Sequence, residues 1–231
     1  LAKQGVKPFV FIYSTFLQRA YDEIVHDIAL QSLPVTFCID RAGLVGFDGR
    51  THQGVFDMAY LRHIPNMSVY APKDLNELES AMKFSLTKNS PVAIRYPNGK
   101  AENIGEKTEF SESWEVLNKA TDEKAVILAC GYRSVKRAFE VARKNEKITV
   151  INARCIKPLD SEILLSVKDR FIVTVEEGVL SGGFGSAVSE FYKNNGMQVK
   201  MSSIGVKDEF IRHASVNEQL EDNGITVENI L

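Results

Sequence analysis

The sequence predicts two consecutive α/β domains, each a mainly parallel sheet covered by helices. Three observations lead there. Short apolar runs without polar alternation recur at strand length, as in VTFCID (35–40), AVILAC (125–130) and RFIVTVEE (170–177), which is the pattern of strands buried on both faces. Amphipathic runs with apolar residues three and four apart lie between them. A polar, Glu- and Lys-rich interruption at 98–123 then divides the alternation into a first domain over 1–97, a linker over 98–123 and a second domain over 124–231.

Each element has its own reason. KPFVFIY (7–13) is an apolar run opened by a Pro, so it reads as a strand. An amphipathic helix over 15–31 follows, with Phe16, Ala20, Ile24 and Ile28 beside Leu17, Tyr21 and Val25 at helical spacing. After Pro34 come the strand 35–40, the glycine-rich stretch DRAGLVGFDGRTHQGVFD (40–57) and a short helix over 55–62. MSVYAP (67–72) is a strand closed by Pro72, Asp74 caps the next helix, and PVAIRYP (91–97) is the last strand of this half. Beyond the linker the order is strand 125–130, helix 133–144, strand 147–153 and a helix beginning at Asp160. Strand 170–177, helix 184–195, strand 197–205 and a helical tail from Ser215 complete it. No internal repeat is visible.

Composition narrows the function classes. Of 231 residues, 44% are hydrophobic and 25% charged, with a net charge of -2, a balance that points to neither nucleic acid nor an anionic membrane as the main partner. No apolar run is long enough to span a bilayer, and the start has no signal-peptide pattern. Cys38, Cys130 and Cys155 are far apart, odd in number and set in strand-like contexts. They read as reduced core thiols of a cytoplasmic protein. The chain opens Leu1-Ala2-Lys3 without Met, so a fragment, a processed chain or a trimmed one is expected.

The chemistry-bearing residues gather at predicted strand ends, where parallel α/β sheets hold their ligands. Tyr13-Ser14-Thr15-Phe16 ends the first strand, Asp40-Arg41 the second and Arg95-Tyr96 the fourth. Aromatic rings beside two guanidiniums suit a flat ring and an anion, because the Arg fork grips two phosphate oxygens at once. An equally weighted alternative pairs Arg41 and Arg95 with Asp40, Asp48 or Asp57 as structural ion pairs. His52, between Thr51 and Gln53, is either a proton carrier or a polar anchor.

YSTFLQRAYDEIVHDIA, DRAGLVGFDGRTHQGVFDMAYLR and IRYP, in this order and spacing, resemble the pyrimidine-binding domain of the 1-deoxy-D-xylulose-5-phosphate synthase family. VEEGVLSGGFGSAVSEF resembles that family's transketolase-like carboxy-terminal domain. The resemblance runs nearly end to end of the chain and over about the last third of the family's polypeptide. It implies a transketolase-like fold and a thiamine-diphosphate- and Mg2+-dependent transferase. Such an enzyme joins pyruvate to D-glyceraldehyde 3-phosphate with loss of CO2, toward isoprenoid, thiamine and pyridoxal precursors. By the resemblance, Phe16 stacks on the aminopyrimidine ring, while Tyr13, Arg41 and Arg95 hold the acceptor's phosphate. Asp48 and His52 lie near its hydroxyl and aldehyde, with His52 moving a proton, and Arg19 helps line the site.

The family's diphosphate and metal ligands, and its activating glutamate, have no counterpart in these residues. The resemblance therefore implies an amino-terminal cofactor domain as partner, a homodimer, and no activity for this chain alone. Three alternatives stand beside that reading: the carboxy-terminal subunit of a split transketolase, the β chain of a 2-oxo-acid dehydrogenase, and a non-catalytic dimerisation module. Lesser signals read as structural: SGGFGSAV (181–188) as a tight turn, His26-Asp27 as helix packing, Glu176-Glu177 as structural or interface groups, and His63 and His213 without ligand-like neighbours.

Overall fold

The computed structural model describes residues 1–230. Two five-stranded sheets stand side by side. The first has the order β1 (Phe9–Tyr13), β2 (Thr36–Asp40), β4 (Val92–Arg95), β3 (Ser68–Tyr70), β8 (Cys155–Lys157). The second has the order β10 (Lys200–Val206), β9 (Phe171–Val179), β6 (Ala125–Cys130), β7 (Ile148–Asn152), β5 (Glu115–Asn118). All pairings are parallel except those of the last strand in each order, β8 with β3 and β5 with β7. The central strands β2, β4, β6 and β7 are apolar and buried almost throughout, as strands covered on both faces require.

The two antiparallel edges were not anticipated. Residues 98–123 contain β5, and Cys155–Lys157, far beyond the polar stretch, completes the first domain's sheet. Between the sheets Trp114 is buried, with its ring N–H donating to the Cys155 carbonyl at 2.7 Å, and Phe110 packs 4.8 Å from Tyr70. Burying each such aromatic side chain contributes about 1.5–3 kcal/mol.

The helices follow the apolar spacing. α4 (Leu75–Ser85) starts at Asp74, whose carboxylate accepts from the Glu77 N–H, and α6 (Ser161–Val167) is capped likewise by Asp160. α5 (Tyr132–Lys144) and α7 (Phe184–Asn194) cover the second sheet. α8 (Val216–Asp222) opens with a capping box between Ser215 and Glu218, and α9 (Val227–Ile230) follows it. The expected helix over 15–31 is broken into α1 (Ser14–Leu17), a 3₁₀ turn (Gln18–Ala20), α2 (Tyr21–Glu23) and a π-helical turn (Ile24–Ala29). In that wide turn Ile24 and Ala29, five residues apart, both reach the core, whereas α spacing would set them about 140° apart around the axis. α3 (Asp57–Leu61) ends the glycine-rich loop. Among the described residues no helix is long and apolar enough to cross a membrane. Cys38, Cys130 and Cys155 are free and buried, and burial pushes the Cys38 thiol up to about 11.

Candidate functional site

The carboxyl ends of β1 and β2 lie side by side, Tyr13 in register with Asp40. From that shared end the chain turns into α1 on one side and into the loop 41–56 on the other. An antiparallel bridge closes the loop at its base: Gly43 N–H donates to the Gly54 carbonyl at 2.6 Å and Gly54 N–H to the Gly43 carbonyl at 2.9 Å. The bridge requires glycine at 54, where a Cβ would stand 2.1 Å from the Arg41 carbonyl oxygen and 2.9 Å from Ser14 Cβ.

Five of the expected residues meet here. The Tyr13 and Phe16 rings stack at 5.4 Å and 9°, and His52 sets its edge toward Phe16 at 5.6 Å. The Arg41 guanidinium lies over the Tyr13 ring at 4.0 Å. It donates through Nη1 to Asp40 at 2.7 Å and through Nε to Asp48 at 3.1 Å. Asp48 thus stands on the same guanidinium that the aromatic pair supports. Thr51 links the two sides, its Oγ1 within 2.9 Å of His52 Nδ1 and its carbonyl accepting from Thr15 at 3.0 Å. Phe16 keeps 42% of its surface exposed. Arg19, with Phe16, Thr51 and His52, lines the open depression beside it.

Arg41 holds a left-handed backbone, φ +54. For a residue with a Cβ this conformation costs on the order of 1 kcal/mol and persists where surrounding contacts dictate it. Its own N–H donates to Asp40 at 2.7 Å, and the next residue, Ala42, donates to the Tyr96 carbonyl at 3.0 Å.

Arg95 does not join the cluster, and the expectation that it faces a phosphate is corrected. It is 4% exposed, and its Nε donates to both oxygens of the fully buried Asp57, at 3.2 and 3.1 Å. Its Nη2 donates to the Glu177 carbonyl at 3.2 Å. The ion-pair alternative therefore describes both arginines, Arg95 with Asp57 and Arg41 with Asp40 and Asp48. Only Arg41 keeps part of its side chain in solvent. β4 is an inner strand of the same sheet, between β2 and β3, and the loop's Gly54 carbonyl lies against the Arg95 guanidinium.

Of the groups that hold the loop from outside, the sequence reading names Glu177 as structural or interface and names His213, but ties neither to the loop, and it misses Arg133 and Gln219. Glu177 Oε1 accepts from Leu44 N–H at 3.3 Å and from Arg133 at 2.7 Å, and Arg133 also donates to the Leu44 carbonyl at 3.0 Å. Gln219 bonds Gly46, and His213 contacts the Phe47 carbonyl at 3.3 Å. Glu176 turns inward instead and accepts from the Phe184 and Gly185 N–H groups, both at 2.8 Å, at the start of α7. Burial pushes its carboxyl up to about 7 against those two bonds and the nearby Arg95 charge. All of these partners lie more than 70 residues from the loop, so no spacing rule could have found them.

The chain is thus a tandem of two mainly parallel α/β units, with an aromatic–guanidinium cluster at the strand ends of the first. Residues 1–102 match the family described as transketolase, pyrimidine binding domain, and residues 114–230 the family described as transketolase, C-terminal domain; the chain belongs to the transketolase family. It is similar over its whole length to proteins named 1-deoxy-D-xylulose-5-phosphate synthase, at 45% identity to that of Clostridium tetani and 46% to that of Thermus thermophilus. It spans 38% and 37% of their lengths. Among solved structures, a "Split gene transketolase, inactive beta4 tetramer" superposes with a TM-score of 0.90 at 26% identity, over 99% of this chain and 75% of that one. Transketolase from Campylobacter jejuni shares the fold, with a TM-score of 0.75 at 20% identity over 99% of this chain and 35% of that one.

Proposed function

We propose that this chain supplies the pyrimidine-binding and C-terminal domains of a thiamine-diphosphate-dependent 1-deoxy-D-xylulose-5-phosphate synthase. That enzyme would condense pyruvate with D-glyceraldehyde 3-phosphate and release CO2. The observation that carries this reading is the single cluster of Tyr13, Phe16, Arg41, Asp48 and His52 at the ends of β1 and β2. Similarity at about 45% to synthases along the whole chain supports it.

The residues present fit one part of the cofactor. The exposed face of Phe16 offers a stacking surface for an aminopyrimidine ring. When bound, thiamine diphosphate supplies the nucleophilic carbon and the electron sink that decarboxylation of a 2-oxo acid needs. Among the described residues no group of three or more acidic, His or Cys side chains is arranged to hold a metal ion. By the family resemblance, Mg2+ and the diphosphate are assigned to residues outside this chain, and the chain alone is expected to be inactive.

Arg41 receives the acceptor's phosphate, pre-set by Tyr13 beneath it and by the two carboxylates that fix its plane. Asp48 and His52 face the reacting end. Thr51 beside Nδ1 leaves His52 Nε2 to exchange a proton with the acceptor oxygen. We assign the working assembly to a homodimer with the cofactor domain.

A second reading has its own support. The superposition with the split-gene transketolase chain, described as an inactive tetramer, fits a separate subunit that awaits a partner. The complete gene product, supplied with Mg2+ and thiamine diphosphate, decides between them. The proposed reading expects CO2 release from pyruvate that depends on D-glyceraldehyde 3-phosphate, with none from the 231-residue chain alone. Turnover of a ketose phosphate without pyruvate would move the assignment to transketolase. Silence with both would favour a non-catalytic module.

A further inference from the structure

The loop that carries Asp48 and His52 is held less by its own domain than by the second one. Gln219 on α8 is fully buried, and its carboxamide bonds both the N–H and the carbonyl of one loop residue. Oε1 accepts from Gly46 N–H at 2.9 Å, while Nε2 donates to the Gly46 carbonyl at 3.4 Å and to the Arg212 carbonyl at 3.0 Å. A buried amide with both ends satisfied by backbone is sensitive to small displacements, since any shift leaves a polar group unpaired.

Gly46 opens the 3₁₀ turn Gly46–Asp48. Its φ is +63, and a Cβ there would stand 2.9 Å from Val216 Cγ2 and 3.1 Å from Val216 N, so the first turn of α8 is the wall against which the loop rests. From Gly46 the bonds continue to the reacting residues. Gly49 N–H donates to the Gly46 carbonyl at 3.1 Å, and His52 N–H donates to the Gly49 carbonyl at 3.1 Å. The chain of contacts therefore runs from Gln219 through Gly46 and Gly49 to His52, with Asp48 inside the turn. Glu177 and Arg133 fix the loop's other foot at Leu44.

We infer that Gln219 is a positioning residue: it sets the Gly46–Asp48 turn, and through it the placement of Asp48 and His52 toward the acceptor. The inference rests on the reading of this loop as the acceptor's site. Gln219 touches neither substrate nor cofactor, and it acts only through the backbone it holds. A residue that served stability alone would weaken the whole domain evenly and would leave the ratio of the two substrates' KM values where it was.

The test is made on the complete gene product carrying Gln219→Met, which keeps the volume and removes all three side-chain bonds. Gln219→Asn, shorter by one methylene, serves if the first variant does not fold. Hydrogen exchange of residues 44–52 is expected to quicken by about tenfold, the scale of one buried hydrogen bond, with β6 unchanged. The KM for the phosphorylated acceptor is expected to rise by about tenfold while that for pyruvate stays within about twofold. An equal rise in exchange across the loop and β6, or a loosened loop with an unchanged acceptor KM, would overturn the inference. The unaltered protein supplies a check that needs no variant: the Gly46 amide is expected to exchange about tenfold more slowly than the Arg50 amide, and equal rates would also overturn it. If the unaltered protein shows no acceptor-dependent CO2 release, the acceptor reading falls, and the exchange data alone decide whether Gln219 holds the loop.

Discussion

Arg95 Nε lies 3.1 Å from Asp57 Oδ2, and the two side chains are 4% and 0% exposed. The pair joins the last parallel strand of the first sheet to the start of α3, and the guanidinium continues to the Glu177 carbonyl in the second domain. Removing one partner strands the other charge in the interior. Arg95→Ala is therefore expected to destabilise the protein by about 3–5 kcal/mol, read as a fall in the urea midpoint. A soluble variant of normal stability whose only defect is acceptor binding would contradict this placement.

Arg41 predicts the opposite division. Its side chain is partly exposed and its ion partners are on the surface, where such pairs add little to stability. Arg41→Ala should leave the unfolding midpoint nearly unchanged. Losing a charge-assisted contact of about 1.5–3 kcal/mol raises the acceptor's KM by roughly ten- to a hundredfold, with pyruvate little affected. Steady-state kinetics in the complete gene product, varying each substrate in turn, checks this. Equal effects on both substrates would remove Arg41 from the phosphate role.

Phe16 separates cofactor binding from folding. Because its ring is half in solvent and stacks on Tyr13, Phe16→Leu is expected to cost the fold less than about 1 kcal/mol. The lost stacking should weaken thiamine diphosphate binding by roughly three- to tenfold, the scale of an aromatic contact of about 0.5–1.5 kcal/mol. Titration of the complete gene product with the cofactor, followed by calorimetry, reads the change. An unaltered dissociation constant would place the aminopyrimidine elsewhere.

Glu176 makes stability depend on pH with an unusual sign. Its folded carboxyl is raised from 4.5 to about 7, so the folded state holds a proton that the unfolded state has already released. Its contribution is fully present below about 4.5 and is lost as pH rises through about 7, amounting to roughly 3 kcal/mol. Glu176→Gln cannot lose that proton. Its stability relative to the parent should therefore climb between pH 4.5 and 7 and level off above. Urea denaturation of both proteins across that range tests the sign, and a flat difference would exclude Glu176 as the source.

Much of this was legible in the sequence, and the reasons divide cleanly. The apolar runs around Cys38, Leu128 and Val173 are buried on both sides, so their lack of alternation marked them as inner strands. Tyr13, Phe16 and Arg41 come together because β1 and β2 are neighbours, residues that strand-end reasoning picks out, while Asp48 and His52 enter through the family resemblance. Arg95 was misread since position at a strand end does not reveal depth; Asp57, in view as a possible partner, settles its direction. Lys73, nearly unexposed and paired with Glu115 at 2.5 Å, and Gln219 gave no local signal. Their partners arrive from other domains, and no periodicity records that. The broken helix after β1 escaped for a different reason: α and π spacing differ by one residue per turn, too little to separate in so short a stretch.

The strand Cys155–Lys157 carries a lesson about inheritance. It hydrogen-bonds to β3 in the first sheet although nearly everything around it in sequence builds the second. The seam between the halves is thus sewn with a borrowed thread. A chimera joined within the polar stretch near residue 110 would take that thread from a stranger, and the Val69–Tyr70 edge would have to accept a foreign stitch. Exchange of parts between related chains is constrained at three residues that look, on paper, as if they belonged wholly to the other side.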